Sequence, residues 1–307
     1  MRSHLFVQRL TKGLLLVVLT FIAYGSPTLL LAADHWAYQP LSTDAPPDAD
    51  HPWIHNPIDQ FVWQQLQQAG IEPSPSADTA TLVKRLYYDL LGLTPHYADV
   101  EALTNDPSEE AYASLVDRLL STEHFAERWA RHWLDVARYA DSDGYEKDTN
   151  RPNAWRYRDW VIDAIHRDMP FDQFTVEQLA GDMLPNKTAD QILATAFHRQ
   201  TLTNTEGGTD QEQWRVAAVM DRTETLGTAW LGLTVGCARC HDHKYDDLTQ
   251  QEYYQLFSYF NNGDEINSKI ARSKEAYQKY ETAIQDYEQK FAQLKATVDQ
   301  TEAEARG

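Results

Sequence analysis

Thr122–Ala140 reads TEHFAERWARHWLDVARYA. Phe125, Trp129, His132, Val136 and Tyr139 recur at alternating intervals of four and three residues. That is one face of a helix turning every 3.6 residues, with Ser121 placed to open it. The stripe directs the His132 imidazole toward the core.

The same signal continues on both sides. Upstream, Asn56 can cap a helix that begins at Pro57, carries Ile58, Phe61, Val62, Leu66 and Ala69 on one face, and ends at Gly70. TLVKRLYYDLLG, closed by Gly92, and SEEAYASLVDRLL follow. Downstream, helices are predicted near 154–168, 171–180 and 188–199, and from about Gln211 into LGTAWLGLTVG. Thr249 and Glu252 form a capping box ahead of EYYQLFSYF. Convincing β alternation is absent, so the fold class is mainly α, an irregular multi-helix domain over 51–263.

The two ends read differently. Residues 1–33 have the form of a signal peptide: Arg2, Arg9 and Lys12 precede the apolar GLLLVVLTFIAYG, and Ala23/Gly25 or Ala32/Ala33 offer cleavage sites. No charge falls between Lys12 and Asp34, so an uncleaved membrane anchor is the alternative, against which Ser26 and Pro27 interrupt the run. Residues 34–50 form an extended lead-in rich in Pro and Asp. In the tail, 264–307, Tyr280, Ile284, Tyr287, Phe291, Leu294 and Val298 follow a 3–4 spacing for three heptads, a coiled-coil-like seam. It would pair within the chain, with a partner protein, or with a second copy.

The formal net charge is −19. Nucleic acid and anionic membrane surfaces are therefore poor partners, and membrane association would come only through the N-terminal segment. A solvated acidic exterior that favours solubility is the plainer reading of the charge.

Val235–Asp247 reads VGCARCHDHKYDD and holds the chain's two cysteines, Cys237 and Cys240, followed at once by His241. C-x-x-C-H is the attachment pattern of c-type haem: two thiols bond two vinyl groups, and the adjacent histidine ligates the iron. Zinc held by Cys237, Cys240, His241 and His243 would need four ligands within seven residues, which wraps a tetrahedron poorly. A redox-active C-x-x-C lacks its usual βαβ setting, and a disulfide closing so short a loop would stabilise little. Export, together with the absence of other cysteines, favours covalent haem c and its iron. For the opposite iron face the candidates are His132 and His198; Met220 lies near in sequence and more naturally packs. His243 is too close to His241 to cross the ring and would close a turn or bond a propionate. Asp141, Asp143, Glu146 and Asp148 form an oxygen-rich loop whose glycine is misplaced for an EF-hand, so a turn is the simpler reading. Glu206 and Asp210 flank the glycines of TNTEGGTD, where they would face a haem edge or a substrate.

NPIDQFVWQQLQQAGIEPSP, LVKRLYYDLLGLTP, YASLVDRLLSTEHFAERWARHWLDVARYADSDGYE, AWRYRDWVIDA, FTVEQLAGDMLP, EGGTDQEQWRVAAVMDR, GTAWLGLTVGCARCHDHKYD and YYQLFSYFNN occur in order. With these segments the chain resembles the planctomycete-type cytochrome c domain family (domain of unknown function 1549) over about residues 35–263. The resemblance implies an exported haem-c protein with Cys237, Cys240 and His241 in the haem-binding roles, and it keeps His132 in RHWLD and His198 in AFHR. Many members carry an N-terminal cytochrome module and a C-terminal domain joined by a helical linker. This sequence shows neither, so the tail resembles that linker and a C-terminal-domain partner is expected. Together these readings predict an exported mono-haem protein, periplasmic or at the cell surface. It would transfer electrons to a redox partner protein or serve a larger haem-dependent oxidoreductase. No catalytic residue is assigned. The alternative is a non-catalytic binding or scaffold module with a zinc or disulfide C-x-x-C site.

Overall fold

Asn56 starts the first helix, α1 (Pro57–Ala69): its side chain accepts the N–H groups of Ile58 and Asp59, while the Asp59 carboxylate accepts the Asn56 N–H. The computed structural model describes residues 39–144, 148–201, 203–204, 206–263, 265–268, 270 and 274–306. The segment 1–33 read as a signal, and Glu146 of the acidic loop, lie outside the described residues.

Polar caps set most of the later helix starts. Asp78 opens α2 (Thr79–Leu90), Ser108 opens α4 (Glu109–Leu120), and Thr122 opens α5 (Glu123–Val136). Between α2 and α4 lies a helix that the apolar periodicity did not pick out, α3 (Tyr97–Asn105), whose His96 cap makes no side-chain bond. Ser121, expected to open α5, instead donates its hydroxyl to the Arg118 carbonyl and so finishes α4. The cap is Thr122, which accepts the Phe125 N–H at 3.3 Å.

Next come α6 (Trp155–His166), α7 (Phe171–Ala180) and α8 (Ala189–Ala194), the last opened by a Thr188–Gln191 capping box and followed by a 3₁₀ turn, Thr195–Arg199. Asp210 caps α9 (Gln211–Leu226), and α10 (Gln250–Phe260) and α11 (Lys274–Arg306) complete the order. Strands are absent among the described residues; one isolated bridge joins Ser142 and Asn150. The mainly helical class holds, and so does a long helix at the C-terminal end. None of the described helices is long and apolar enough to cross a membrane.

The chain divides into two compact units. The first joins the described residues up to Ser74 with Cys237–Glu252; the second runs over Pro75–Gly236 and Tyr253–Gly307. In the first, Trp63 of α1 stacks on His51 at 3.8 Å between ring centres. The stripe expected to be buried on α1 is open: Ile58, Phe61 and Val62 are 73%, 51% and 41% exposed.

The second unit holds two apolar clusters. One gathers Val83, Leu86, Tyr87 and Leu91 of α2 against Leu103, Leu115 and Leu119. The larger gathers Ala130, Leu134 and Ala137 against Tyr157, Trp160, Val161, Phe174 and Phe197. At about 1.5–3 kcal/mol for each large apolar side chain taken from water, these clusters supply most of the driving force. Inside the larger one Gln178 is fully buried, and both polar atoms of its amide have partners. Its Oε1 accepts Trp133 Nε1–H at 2.8 Å and the Tyr157 hydroxyl at 2.7 Å, and its Nε2 donates to the Phe174 carbonyl at 3.1 Å.

Candidate cofactor-attachment site

The chain that precedes the cysteines is held by close packing at the end of α9. After Leu226 the backbone widens into a π turn, Gly227–Leu231, and reverses at Gly232 with φ 65°. A side chain at Gly227 would meet the Val235 methyl groups at 2.7 and 2.8 Å, so only glycine lets the returning chain lie there. Val235 is 1% exposed, and Gly236 leaves the Glu224 carboxylate room at 3.0–3.2 Å from where a Cβ would sit.

Val235–Arg239 then forms a 3₁₀ turn. Cys237 lies within it and Cys240 directly after it; both thiols are free and exposed, Ala238 between them is buried, and Cys240 N–H donates to the Cys237 carbonyl at 3.3 Å. His241 is exposed. Its Nδ1 lies 2.7 Å from the Asp242 carbonyl oxygen, and because a carbonyl only accepts, Nδ1 carries the proton. The lone pair is therefore on Nε2, the tautomer suited to ligating a metal through that nitrogen.

The rest of the loop is tied to itself. Asp242 accepts the Gln250 N–H at 2.8 Å, and Gln250 Nε2 donates to the Arg239 carbonyl at 3.1 Å. His243 donates its backbone N–H to Leu248 at 2.8 Å, and its Nδ1 accepts the Asp246 N–H at 2.9 Å. Its side chain is 6% exposed, so His243 closes the turn. The four-ligand zinc set thereby loses a member. Thr249 and Glu252 form the expected capping box, with Glu252 accepting the Thr249 N–H at 2.8 Å. The thiols, their spacing and the histidine tautomer fit covalent haem attachment.

The two histidines considered for the opposite face belong to the second unit. His132 does not point at the core: it is exposed, its ring 5.4 Å from that of Trp129, itself 42% exposed. The buried face of α5 runs instead through Ala126, Ala130, Leu134 and Ala137. Small alanines let α5 lie close along α6, an approach that the large rings of the aromatic stripe would block. His198 is inside: its Nε2 donates to the Leu179 carbonyl at 3.2 Å, and its Nδ1 is buried without a partner. Of the acidic loop, Asp143 pairs with Arg151 and Asp148 accepts the Gly144 N–H at 2.9 Å. Asp210 is the α9 cap, and Gly208 takes φ 85° in the turn before it. Among the described residues no three His, Cys, Asp or Glu side chains are gathered to hold a metal ion. Asp242 and Gln250, which brace the loop, were passed over by sequence reasoning because side-chain-to-backbone ties leave no periodic signal.

A mainly helical protein with a surface C-x-x-C-H turn is the class that the fold and site define. The chain belongs to the family described as protein of unknown function (DUF1549), whose model matches residues 57–265. That span takes in α1 through α10 and the whole cysteine loop. No curated protein and no solved structure matches the chain.

Proposed function

We propose that the chain is an exported, mono-haem c-type protein that transfers electrons as one module of a larger extracytoplasmic system. The observation that carries this is the pairing of two free, exposed thiols, one in the 3₁₀ turn and one directly after it, with a neighbouring imidazole whose Nε2 holds the lone pair. Cys237 and Cys240 would each add sulfur to one vinyl carbon and a proton to the other, forming thioethers with no net redox change. His241 would ligate iron through Nε2 while the Asp242 carbonyl holds the ring by Nδ1–H. The haem supplies one-electron chemistry when bound. Gln250 braces the turn by tying Arg239 to Asp242, which limits reorganisation around the ligating ring. The positively charged and apolar runs before residue 34 support export, and the acidic net charge suits a soluble electron carrier with a basic partner.

The test is co-expression with a cytochrome c maturation system. The full chain should show a Soret band and retain haem on a denaturing gel, and Cys237→Ala with Cys240→Ala should abolish the stain. Haem that stays in the denatured double variant, or a colourless wild type, would refute the proposal.

A further inference from the structure

A cavity of about 1150 Å³ opens in the second unit, away from the cysteine loop in sequence and lined, among the described residues, by five arginines: Arg151, Arg156, Arg199, Arg215 and Arg222. Among the described residues the carboxylates that line it with them are Asp143 and Glu265, and Glu212, outside the lining, pairs with Arg215 at 2.7 Å. In a chain of net charge −19 such a gathering of arginines is against the general trend. Arg151 is matched by Asp143 at 2.6 Å and also donates to the Thr201 carbonyl. Arg199 and Arg222 share one carboxylate: Glu265 lies 3.1 Å from Arg199 Nη1 and pairs as well with Arg222. Burial holds both guanidiniums below the usual arginine range, and each feels a neighbouring guanidinium, Arg151 beside Arg199 and Arg199 beside Arg222. Arg222 is the deeper, its side chain 11% exposed against 45% for Arg199, and like charges held this close are costly unless an anion offsets them.

A second observation points the same way. Gln200 lines the cavity and is 7% exposed; its Nε2 donates to the Ala196 carbonyl at 3.0 Å, yet its Oε1 is buried with no partner. A buried acceptor left over is satisfied by a donor such as a hydroxyl. Trp214 adds a flat ring to the wall.

We infer that this cavity binds a hydroxylated organic oxoanion of the acidic-sugar class. Its anionic group takes the place of Glu265 between Arg199 and Arg222, and a hydroxyl donates to Gln200 Oε1. Glu265 is the chain's own stand-in for that group, so it competes with the ligand. The site shares no residue with the C-x-x-C-H loop, and its test does not depend on haem.

The experiment is titration calorimetry of the full chain at low ionic strength with glucuronate, glucose and inorganic sulfate. Glucuronate should bind, glucose should not, and sulfate should bind at least tenfold more weakly than glucuronate. Glu265→Gln should tighten glucuronate binding about fivefold by removing the competitor. Arg199→Gln should weaken it at least tenfold, and Arg199→Lys, which keeps the charge but loses the fork, should fall between. Circular dichroism establishes that each variant is folded; should Arg199→Gln fail to fold, Arg199→Lys and Glu265→Gln decide. Absence of glucuronate binding to both wild type and Glu265→Gln overturns the inference. So does glucose binding as tightly as glucuronate, sulfate binding as tightly as glucuronate, or a folded Arg199 variant that binds like wild type.

Discussion

The imidazole of His198 sits near the rings of Phe197 and Phe260, with centroid separations of 5.4 and 5.3 Å. Burial pushes its pKa down to about 4, and the Arg222 charge acts in the same direction; the Leu179 carbonyl and Asp182 act against them and lose. The folded protein therefore holds His198 neutral where the unfolded chain, with a histidine pKa near 6.5, takes up a proton. Stability from this residue is complete above the unfolded value and is lost as pH falls through the window from about 6.5 to 4. Urea unfolding should show about 2 kcal/mol less stability at pH 5 than at pH 7 from this group. His198→Gln should flatten that slope; an unchanged slope would show that the ring titrates normally. Carboxylates such as Asp99 do not interfere there. Burial pushes Asp99 up, but bonds from Arg118 and the Tyr87 hydroxyl outweigh it and keep it below the usual range. The sequence placed His198 near the end of a helix, but its burial depends on rings brought from α10, which no local pattern reports.

Helix contacts turn on small residues as much as on apolar ones. Gly181 follows α7, and a Cβ there would stand 2.1 Å from the Gln191 carbonyl oxygen, a backbone atom of α8 that cannot swing away. Gly207 by contrast has nothing within 4 Å of its missing Cβ. Gly181→Ala should cost more than about 3 kcal/mol or prevent folding, whereas Gly207→Ala should stay within about 0.5 kcal/mol. Thermal melts of the two variants side by side give the comparison; equal melts would mean that α7 and α8 can slide apart. The same rule explains α5. Its aromatic spacing told correctly that a helix forms, and the caps told nearly where. Which face is buried was decided by Ala126, Ala130 and Ala137, whose size allows the close approach to α6. Composition along one helix cannot rank two apolar stripes; the partner surface does.

Across the whole chain, α11 contributes length without burial. Tyr280, Ile284, Tyr287, Phe291, Leu294 and Val298 are between 37% and 66% exposed, so the heptad seam predicted from spacing exists as a helix face left open among the described residues. A version ending at residue 273 should therefore melt within about 2 °C of the full chain, monitored at several concentrations. A large loss that grows with dilution would show that the seam is buried between molecules.

Helical class, the family and the C-x-x-C-H turn were determined by sequence alone, because each rests on spacing within a few residues and on bonds that close locally. Tertiary structure alone decided the open α1 stripe, the outward His132, the internal bracing of the cysteine loop and the arginine-lined cavity. Those features join residues up to more than a hundred positions apart, as Arg156 Nη1 meets the Ile270 carbonyl at 3.0 Å. Exposure and charge pairing at such range are settled by what the folded chain brings alongside, and neither composition nor periodicity encodes that.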